Sequence, residues 1–522
     1  MIDAPQSLLK TNILVATGTL ICRITGFLRV LTLAYVFGLT GLSDVYNTAN
    51  TTPNIIYELM MGGILSATLL PIIVRAIKDD DHDAISAVLS VTGLCLWALT
   101  CLMVLASPLI MSLYSQARLD EPAIFHRTGT ILVAYFLPQI FFYGIISLAT
   151  AVLNARQKFA LPAYAPVLNN LIVIGVLLGA GFLYPNTLTL SEASQNPALL
   201  ALLGLGTTAG IAASSLIMVP AVLRSGLRLR FLPDWKHPAL RQVLRLSGWT
   251  LGYVIANQAA LFMITRLALS KEGWLSAYQT AFTFFLLPHG LLAVSIMTTF
   301  SPSLAKAAAE NQLDLLKEKL SHGLRLLALL MIPASVGFVL IAEPLVTALL
   351  EHGRFNAASS SLTSQTLSMF ALGLFPFSAY LFLLRGFYAQ QDTRTPFWLN
   401  ILENILNVAL AIPLMQIYGV AGLALSYALA YTIAALVTAG VLERTLKGMP
   451  WTTFLNSLWR IAGATLIMGV SIGIASVFLT TSPPLLKTLE IVVVGGMSYG
   501  GSVIAFRTPE ALSFLHPFLR KG

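Results

Sequence analysis

The sequence predicts an all-α polytopic membrane protein of about fourteen transmembrane helices, built as two parallel-repeat six-helix lobes plus two extra C-terminal helices. Three observations carry this reading: 57% hydrophobic residues with only 10% charged, basic residues that alternate loop by loop, and motifs that recur about 230 positions later. A soluble chain carries about 25% charged residues, so a water-soluble globule is excluded.

Windows of about 20 apolar residues place spans near residues 25, 60, 98, 140, 172, 210, 256, 292, 336, 375, 406, 432, 466 and 497. With the N-terminus in the cytoplasm, about twenty Lys and Arg fall in cytoplasmic loops and the tail. Only Arg118, Arg127, Lys271, Arg354 and Lys487 fall opposite. That asymmetry predicts a multi-pass membrane protein with both termini in the cytoplasm. It also accounts for the net charge of +9 without nucleic acid as a partner. Residues 1–10 show no basic region, apolar run and cleavage site in order, so the first span is expected to direct insertion itself. Cys22, Cys95 and Cys101 lie in apolar runs without paired spacing, which suggests neither a disulfide nor a metal site.

Asp79-Asp80-Asp81-His82-Asp83 reads as a solvated charge run, with a divalent-metal or nucleotide-sugar cluster as the sharper alternative. The stretch from Arg224 to Arg245 alternates basic and apolar residues. It reads as an amphipathic linker on the anionic leaflet, or as a solvated loop that obeys the charge rule.

The internal duplication rests on three matches. Ala155, Gln157, Pro162, Leu168 and Asn170 recur 234 positions on, at Ala389, Gln391, Pro396, Leu402 and Asn404. Thr68, Pro71, Arg75 and Ala76 find Thr299, Pro302, Lys306 and Ala307, 231 positions on, and Arg23-x-x-Gly26-Phe27 finds Arg245-x-x-Gly248-Trp249. Six spans separate the copies, so both insert with the same orientation. The expected divisions are an N-terminal lobe at 1–224, the linker at 225–240, a C-terminal lobe at 241–447, and two extra helices with a tail at 448–522.

The costliest feature is Cys22-Arg23-Ile24-Thr25-Gly26-Phe27-Leu28-Arg29-Val30, which puts two guanidinium groups inside an apolar run. Each arginine near the bilayer centre costs about 2.5–3.5 kcal/mol. Six positions turn a helix by about 240°, so the two share a face only if the helix bends or unwinds, which Gly26 permits. Either they line a wet cavity that receives an anionic group, or they snorkel or pair with carboxylates. In the second span Asp44 and Glu58 read as their salt partners or as gate residues, and Gly62-Gly63 as a close contact or hinge. Later, Asn400, Glu403, Asn404 and Asn407 share one span. Glu403 and Asn407 are i,i+4 neighbours, which suits a monovalent cation, a proton, or a hydrogen-bonded glue between helices. His289 is of a type that titrates near neutrality. Arg266 and Glu343 lie near span ends.

These residues also carry a resemblance. Arg23-x-x-Gly26-Phe27-x-Arg29, Ser43-Asp44 followed by Pro53-Asn54, Leu153-Asn154-Ala155 leading to Phe159-x-x-Pro162-Ala163-Tyr164-Ala165-Pro166, His352-Gly353-Arg354-Phe355 and Gly386-Phe387-Tyr388-Ala389-x-Gln391-Asp392-Thr393-x-Thr395-Pro396 resemble the MurJ (MviN) lipid II flippases of the MOP exporter superfamily. The resemblance implies two six-helix lobes, two helices forming a groove toward the membrane, and transfer of undecaprenyl-pyrophosphate disaccharide-pentapeptide between leaflets by alternating access, with no catalysis. It implies Arg23, Arg29 and Asp44 at the substrate, with Gly26 beside them and Arg266 as a further cation. Where members carry basic residues in the second span this chain has Tyr57 and Glu58, and Thr283 stands where they carry an eighth-span arginine. Glu403, Asn404 and Asn407 are the nearest match to a sodium site of some relatives. The resemblance leaves sodium, protons or the membrane potential as the coupling source and no cofactor. It adds membrane lipids and cell-wall synthesis proteins as partners. Export of another polyprenyl-linked oligosaccharide, or cation or drug antiport on the same architecture, are the competing functions.

Overall fold

The computed structural model of the protein describes residues 5–59, 69–79, 81–118, 120–227, 230–235, 248–478 and 483–511. Every regular element among these residues is a helix, as expected of chain segments that must satisfy their own backbone groups in hydrocarbon. The chain divides into two compact units, Met1–Ser276 with Gly353–Phe355, and Ala277–His352 with Asn356–Gly522.

The first unit holds α1 (Pro5–Phe37), α2 (Gly41–Tyr57), α3 (Leu69–Lys78), α4 (His82–Leu105), α5 (Ser107–Ser115), α6 (Pro122–Phe136), α7 (Gln139–Ala155), α8 (Ala160–Leu183), α9 (Leu190–Ser194), α10 (Pro197–Leu216), α11 (Val219–Leu223) and α12 (Gly248–Ala268). From the boundary onward run α13 (Trp274–Pro288), a π turn at His289–Ala293, α14 (Val294–Ala309), α15 (Leu313–Leu350), α16 (Ala357–Leu372), α17 (Leu374–Ala389), α18 (Arg394–Tyr418), α19 (Val420–Leu446), α20 (Trp451–Phe478) and α21 (Pro484–Ala505).

Eleven spans among the described residues are long and apolar enough to cross a membrane, or twelve when the pair Ala357–Leu372 and Leu374–Ala389, bent by 42°, counts as one. These match twelve of the fourteen expected positions. The other two expected spans fall on α2 and α12, each of which adjoins residues outside those described. Gly62-Gly63, Thr68 and linker residues 236–247 lie there as well.

The matched turns share a helix-closing geometry, one that also ends the helices before Gly448 and Thr508. Gln157 and Gln391 both adopt a left-handed φ, 59° and 60°, which non-glycine residues seldom do. In both turns an amide reaches back five residues, Lys158 N to Leu153 O at 2.8 Å and Asp392 N to Phe387 O at 3.0 Å, closing the helix end in the same way. The second match repeats too. Asp81 N donates to Ala76 O at 2.8 Å and Gln312 N to Ala307 O at 2.9 Å, while Arg75–Asp79 and Lys306–Glu310 form ion pairs of 3.6 and 3.8 Å.

Within the first unit α1 lies on α8. Thr17 Oγ1 meets the Tyr164 hydroxyl at 2.8 Å, and Asn170 Nδ2 donates to Cys22 O and Thr25 Oγ1 at 3.3 and 3.1 Å. The Gly353-Arg354-Phe355 tip caps the end of α1, with Arg354 N donating to Tyr35 O at 3.0 Å. Glycine is required at 353, where φ is +63° and a Cβ would stand 2.5 Å from Tyr35 O. Linker residues 230–235 are not helical. They are pinned on α4 by Arg230 N to Ser86 Oγ at 3.2 Å and Leu232 N to Ser90 Oγ at 2.9 Å. Asp83 pairs with Arg230, Asp79 with Arg75, and Asp81 caps α4 through Ala84 N, so these members of the aspartate run have structural work.

In the second unit the last two helices are fastened to α15. Ile461, Ala464 and Val503 pack on Ala328 and Leu329, and Tyr499 OH donates to Leu329 O at 2.6 Å. Arg325 Nη1 reaches Glu510 Oε1 at 2.6 Å, and Ser457 Oγ donates to the same oxygen at 2.9 Å.

Asp392 ties down the start of α18 by accepting from Arg394 N at 2.9 Å and Thr395 N at 3.0 Å. Burial opposes its charge, but these bonds and the Thr395 side chain outweigh it and hold the carboxyl below the ordinary carboxylate range. Its stabilisation is therefore complete above the unfolded-chain value of about 3.9 and disappears as pH falls through the lower folded value. Asp392→Ala is expected to cost about 1 kcal/mol at pH 7, the usual worth of such a cap. Thermal unfolding in detergent should show that difference shrinking as the wild type is acidified.

Candidate functional site

Helix α1 runs unbroken from Pro5 to Phe37, so Gly26 does not unwind it. That glycine lies beside Asn170, whose Nδ2 would be in ordinary contact, 3.5 Å, with a Cβ there. Arg23 and Arg29 therefore stand about 120° apart around the axis, and the expectation of a shared face through unwinding at Gly26 fails for that reason. Arg23 is exposed and Arg29 half-buried. The exposed apolar residues Ile21, Ile24, Leu28 and Tyr35 form a stripe centred about 130° from Arg23 on the helical wheel. The apolar stripe suits lipid, and Arg23 lies off its centre. Neither arginine forms an ion pair among the described residues.

Arg29 has tyrosines in its neighbourhood. It lies close enough to Tyr46 and Tyr143 to act on both electrostatically. Tyr143 is hydrogen-bonded to Asn54, its ring packs 5.1 Å from that of Tyr57, and the Tyr57 hydroxyl bonds Ser147. Glu58 is exposed at the end of α2 and has no ion-pair partner among the described residues. A guanidinium beside tyrosine and amide groups offers charge-assisted hydrogen bonds to an anionic oxygen. Arg266 stands apart from these residues in its contacts, with its guanidinium 5.9 Å from the Phe262 ring and that ring 5.0 Å from Tyr114. Tyr143 and Ser147 escaped notice in the sequence because nothing in their spacing marks them, while Asn54 was read only as part of the Pro53-Asn54 motif.

Asp44 is used differently. It is fully buried and takes Arg118 Nη1 at 2.8 Å, Gly273 N at 2.7 Å, Ser276 N at 3.1 Å and Ser276 Oγ at 2.9 Å. The Arg118 side chain is only 1% exposed. Expected at the substrate, this carboxylate instead sits in a closed knot that joins the start of α2 to the loop before α6 and to the α12–α13 turn. The nearby Gly41 N donates to Glu272 in the same turn. Sequence reading placed Arg118 only as a loop charge; no local signal pairs it with a residue 74 positions away.

In the second unit Glu403, Asn404 and Asn407 are all buried on α18. Tyr431 hydrogen-bonds the Glu403 carboxylate, Ser426 Oγ donates to Asn407 Oδ1 at 3.0 Å, and Asn404 Nδ2 donates to Asn400 O at 2.9 Å. His289 Nδ1 meets Ser378 Oγ at 2.9 Å, beside the Phe377 ring. Thr283 Oγ1 donates to Gln279 O within its own helix. No group of three or more His, Cys, Asp or Glu able to hold a metal exists among the described residues.

Residues 33–492 match the family model described as Lipid II flippase MurJ. The chain is 26% identical over 439 residues to a probable lipid II flippase MurJ of Vibrio cholerae, covering 81% of each. It is 27% identical over 476 residues to the lipid II flippase MurJ of Burkholderia cenocepacia, covering 89% of each. Among solved structures, a lipid II flippase MurJ in an inward closed conformation aligns with a TM-score of 0.77 at 25% identity, over 95% of this chain and 99% of that one. An inward-facing multidrug resistance MATE family transporter of the MOP superfamily shares the fold, with a TM-score of 0.66 at 14% identity, over 81% of this chain and 94% of that one.

Removing one member of the Asp44–Arg118 pair leaves the other charge buried without its partner. Asp44→Ala and Arg118→Ala are each expected to cost about 3–5 kcal/mol. The double variant should lose less than the sum of the two. Equilibrium unfolding in detergent of the wild type and three variants measures this.

Proposed function

Because the chain belongs to the lipid II flippase MurJ family, we propose that it moves lipid II from the inner to the outer leaflet of the bacterial cytoplasmic membrane. It is a multi-pass membrane transporter. The observation that carries the reading to residues is the pair Arg23 and Arg29, held in a transmembrane helix without carboxylate partners among the described residues. A pyrophosphate cannot cross hydrocarbon unaided, and guanidinium groups supply the bidentate bonds that replace its water. Arg23 supplies an exposed charge off the centre of the lipid-facing stripe, and Arg29 a second one near Tyr46 and Tyr143. Both termini lie in the cytoplasm on this reading, from the distribution of Lys and Arg.

Coupling belongs to the second unit. Glu403, a buried carboxylate whose near neighbours include tyrosine and asparagine, is placed to take up a proton or, with Asn404 and Asn407, a monovalent cation as the transporter cycles. The membrane potential is the alternative source, at about 2.3 kcal/mol per charge per 100 mV.

Depletion of the native protein followed by rescue tests the first claim. Arg23→Ala and Arg29→Ala variants that insert normally should fail to rescue, with undecaprenyl-linked precursor accumulating on the inner leaflet; full rescue by the double variant refutes the assignment. For coupling, flipping by Glu403→Gln in reconstituted vesicles should no longer respond to an imposed proton or sodium gradient. An unchanged response removes Glu403 from the coupling route.

A further inference from the structure

A second polar site lies far along the chain from Arg23 and Arg29, where α15 begins. Asp314, Lys317, Glu318, Ser321 and Arg325 line one side of a cleft of about 500 Å³, and the 448–450 turn with Thr453 lines the other. The helix residues recur every three or four positions, so they follow one face of α15. Ser321 is only 4% exposed, and its Oγ has no hydrogen-bond partner. Neither does Arg325 Nε, although the same guanidinium is held by Glu510 through Nη1. A buried hydroxyl and a buried N–H left unpaired each cost about 1–3 kcal/mol. Both therefore call for an acceptor.

The order of charges along the helix defines that acceptor. Helix α15 enters the apolar layer from its Leu313 end, where Asp314 and Glu318 are exposed. Arg325 lies seven residues beyond Glu318, about 10 Å deeper along the axis. Asp314 is already paired with Lys317 at 3.2 Å, so Glu318 is the acid left at the wet end, and a hydroxyl and a guanidinium stand deeper. Exposed Leu313 and Leu315 and Trp451 beside the turn are residues of the kind that sit at the membrane interface. The two acidic and two basic lining residues cancel, which disfavours a plain anion.

We propose that this cleft binds the headgroup of a zwitterionic aminophospholipid. Its phosphate accepts from Ser321 Oγ and Arg325 Nε, and its ammonium lies outward against Glu318. This is the order in which such a lipid carries its charges, phosphate toward the hydrocarbon and ammonium toward water. Binding there reinforces the Arg325–Glu510–Ser457 clamp that holds α20 and the segment after α21 to α15.

The test is lipid retention by the full-length protein in detergent, read by native mass spectrometry during titration with phosphatidylethanolamine, phosphatidylglycerol, glycerophosphoethanolamine or inorganic phosphate. Phosphatidylethanolamine should bind about tenfold more tightly than phosphatidylglycerol. Ser321→Leu, which fills the cleft, should abolish the difference. The exposed Glu318→Lys should reverse it in favour of phosphatidylglycerol while leaving the unfolding temperature unchanged, which guards against a folding defect in the buried variant. Equal binding of the two lipids by the wild type, an unreversed preference in Glu318→Lys, or equal binding of the soluble phosphates overturns the proposal.

Discussion

Burying the Asp44 carboxylate constrains the first unit more than any other single interaction. Moving such an ion from water into a medium of low dielectric carries an idealised penalty of order 20 kcal/mol. Four donors on three segments answer it: Arg118, Gly273 N, and the amide and hydroxyl of Ser276. None can shift alone without leaving a charge or an amide unsatisfied. The start of α2, the loop before α6 and the α12–α13 turn are consequently held in one geometry. Gly273 contributes twice, because its φ of +76° turns the amide inward and its lack of a Cβ admits Leu39, whose O would lie 2.8 Å away.

Much of the fold was legible in the sequence because hydrocarbon imposes long apolar runs and the charge rule imposes alternation. Twelve of fourteen expected spans are matched directly, and the repeated Gln157 and Gln391 turns show why the duplication could be read at all. Each sits at a left-handed closure after a helix, followed by a proline near the start of the next, and such turns restrict sequence more than a lipid-facing helix does. Positions facing acyl chains accept nearly any apolar residue, so most of the two halves has drifted apart while their corners agree.

The site was less legible, and for a different reason. Periodicity along one helix says which residues share a face but not what lies opposite. Asp44 read as a salt partner of the α1 arginines or as a gate residue because its actual partner Arg118 is remote in sequence, and Arg23 and Arg29 looked as though they needed Gly26 to unwind. In the structure Gly26 is a contact for Asn170, and the arginines keep separate directions. The tyrosines near Arg29, Tyr46 and Tyr143, come from α2 and α7 and have no distinctive spacing. The cluster around Glu403 was readable because its polar residues share one helix, which confines the pattern to a single stretch.

Acids and bases within the first unit thus have opposite fates. Among the described residues its one fully buried carboxylate, Asp44, is saturated by donors, while the guanidinium groups of α1 are left without carboxylates. Had Asp44 paired with Arg23 or Arg29, the cost of those arginines would be offset permanently and nothing would favour an incoming anion. Committing Asp44 to Arg118 instead keeps the α1 cations uncompensated until a ligand arrives. On the proposed function, their solvation deficit would become binding energy for a diphosphate, available only while the headgroup is present.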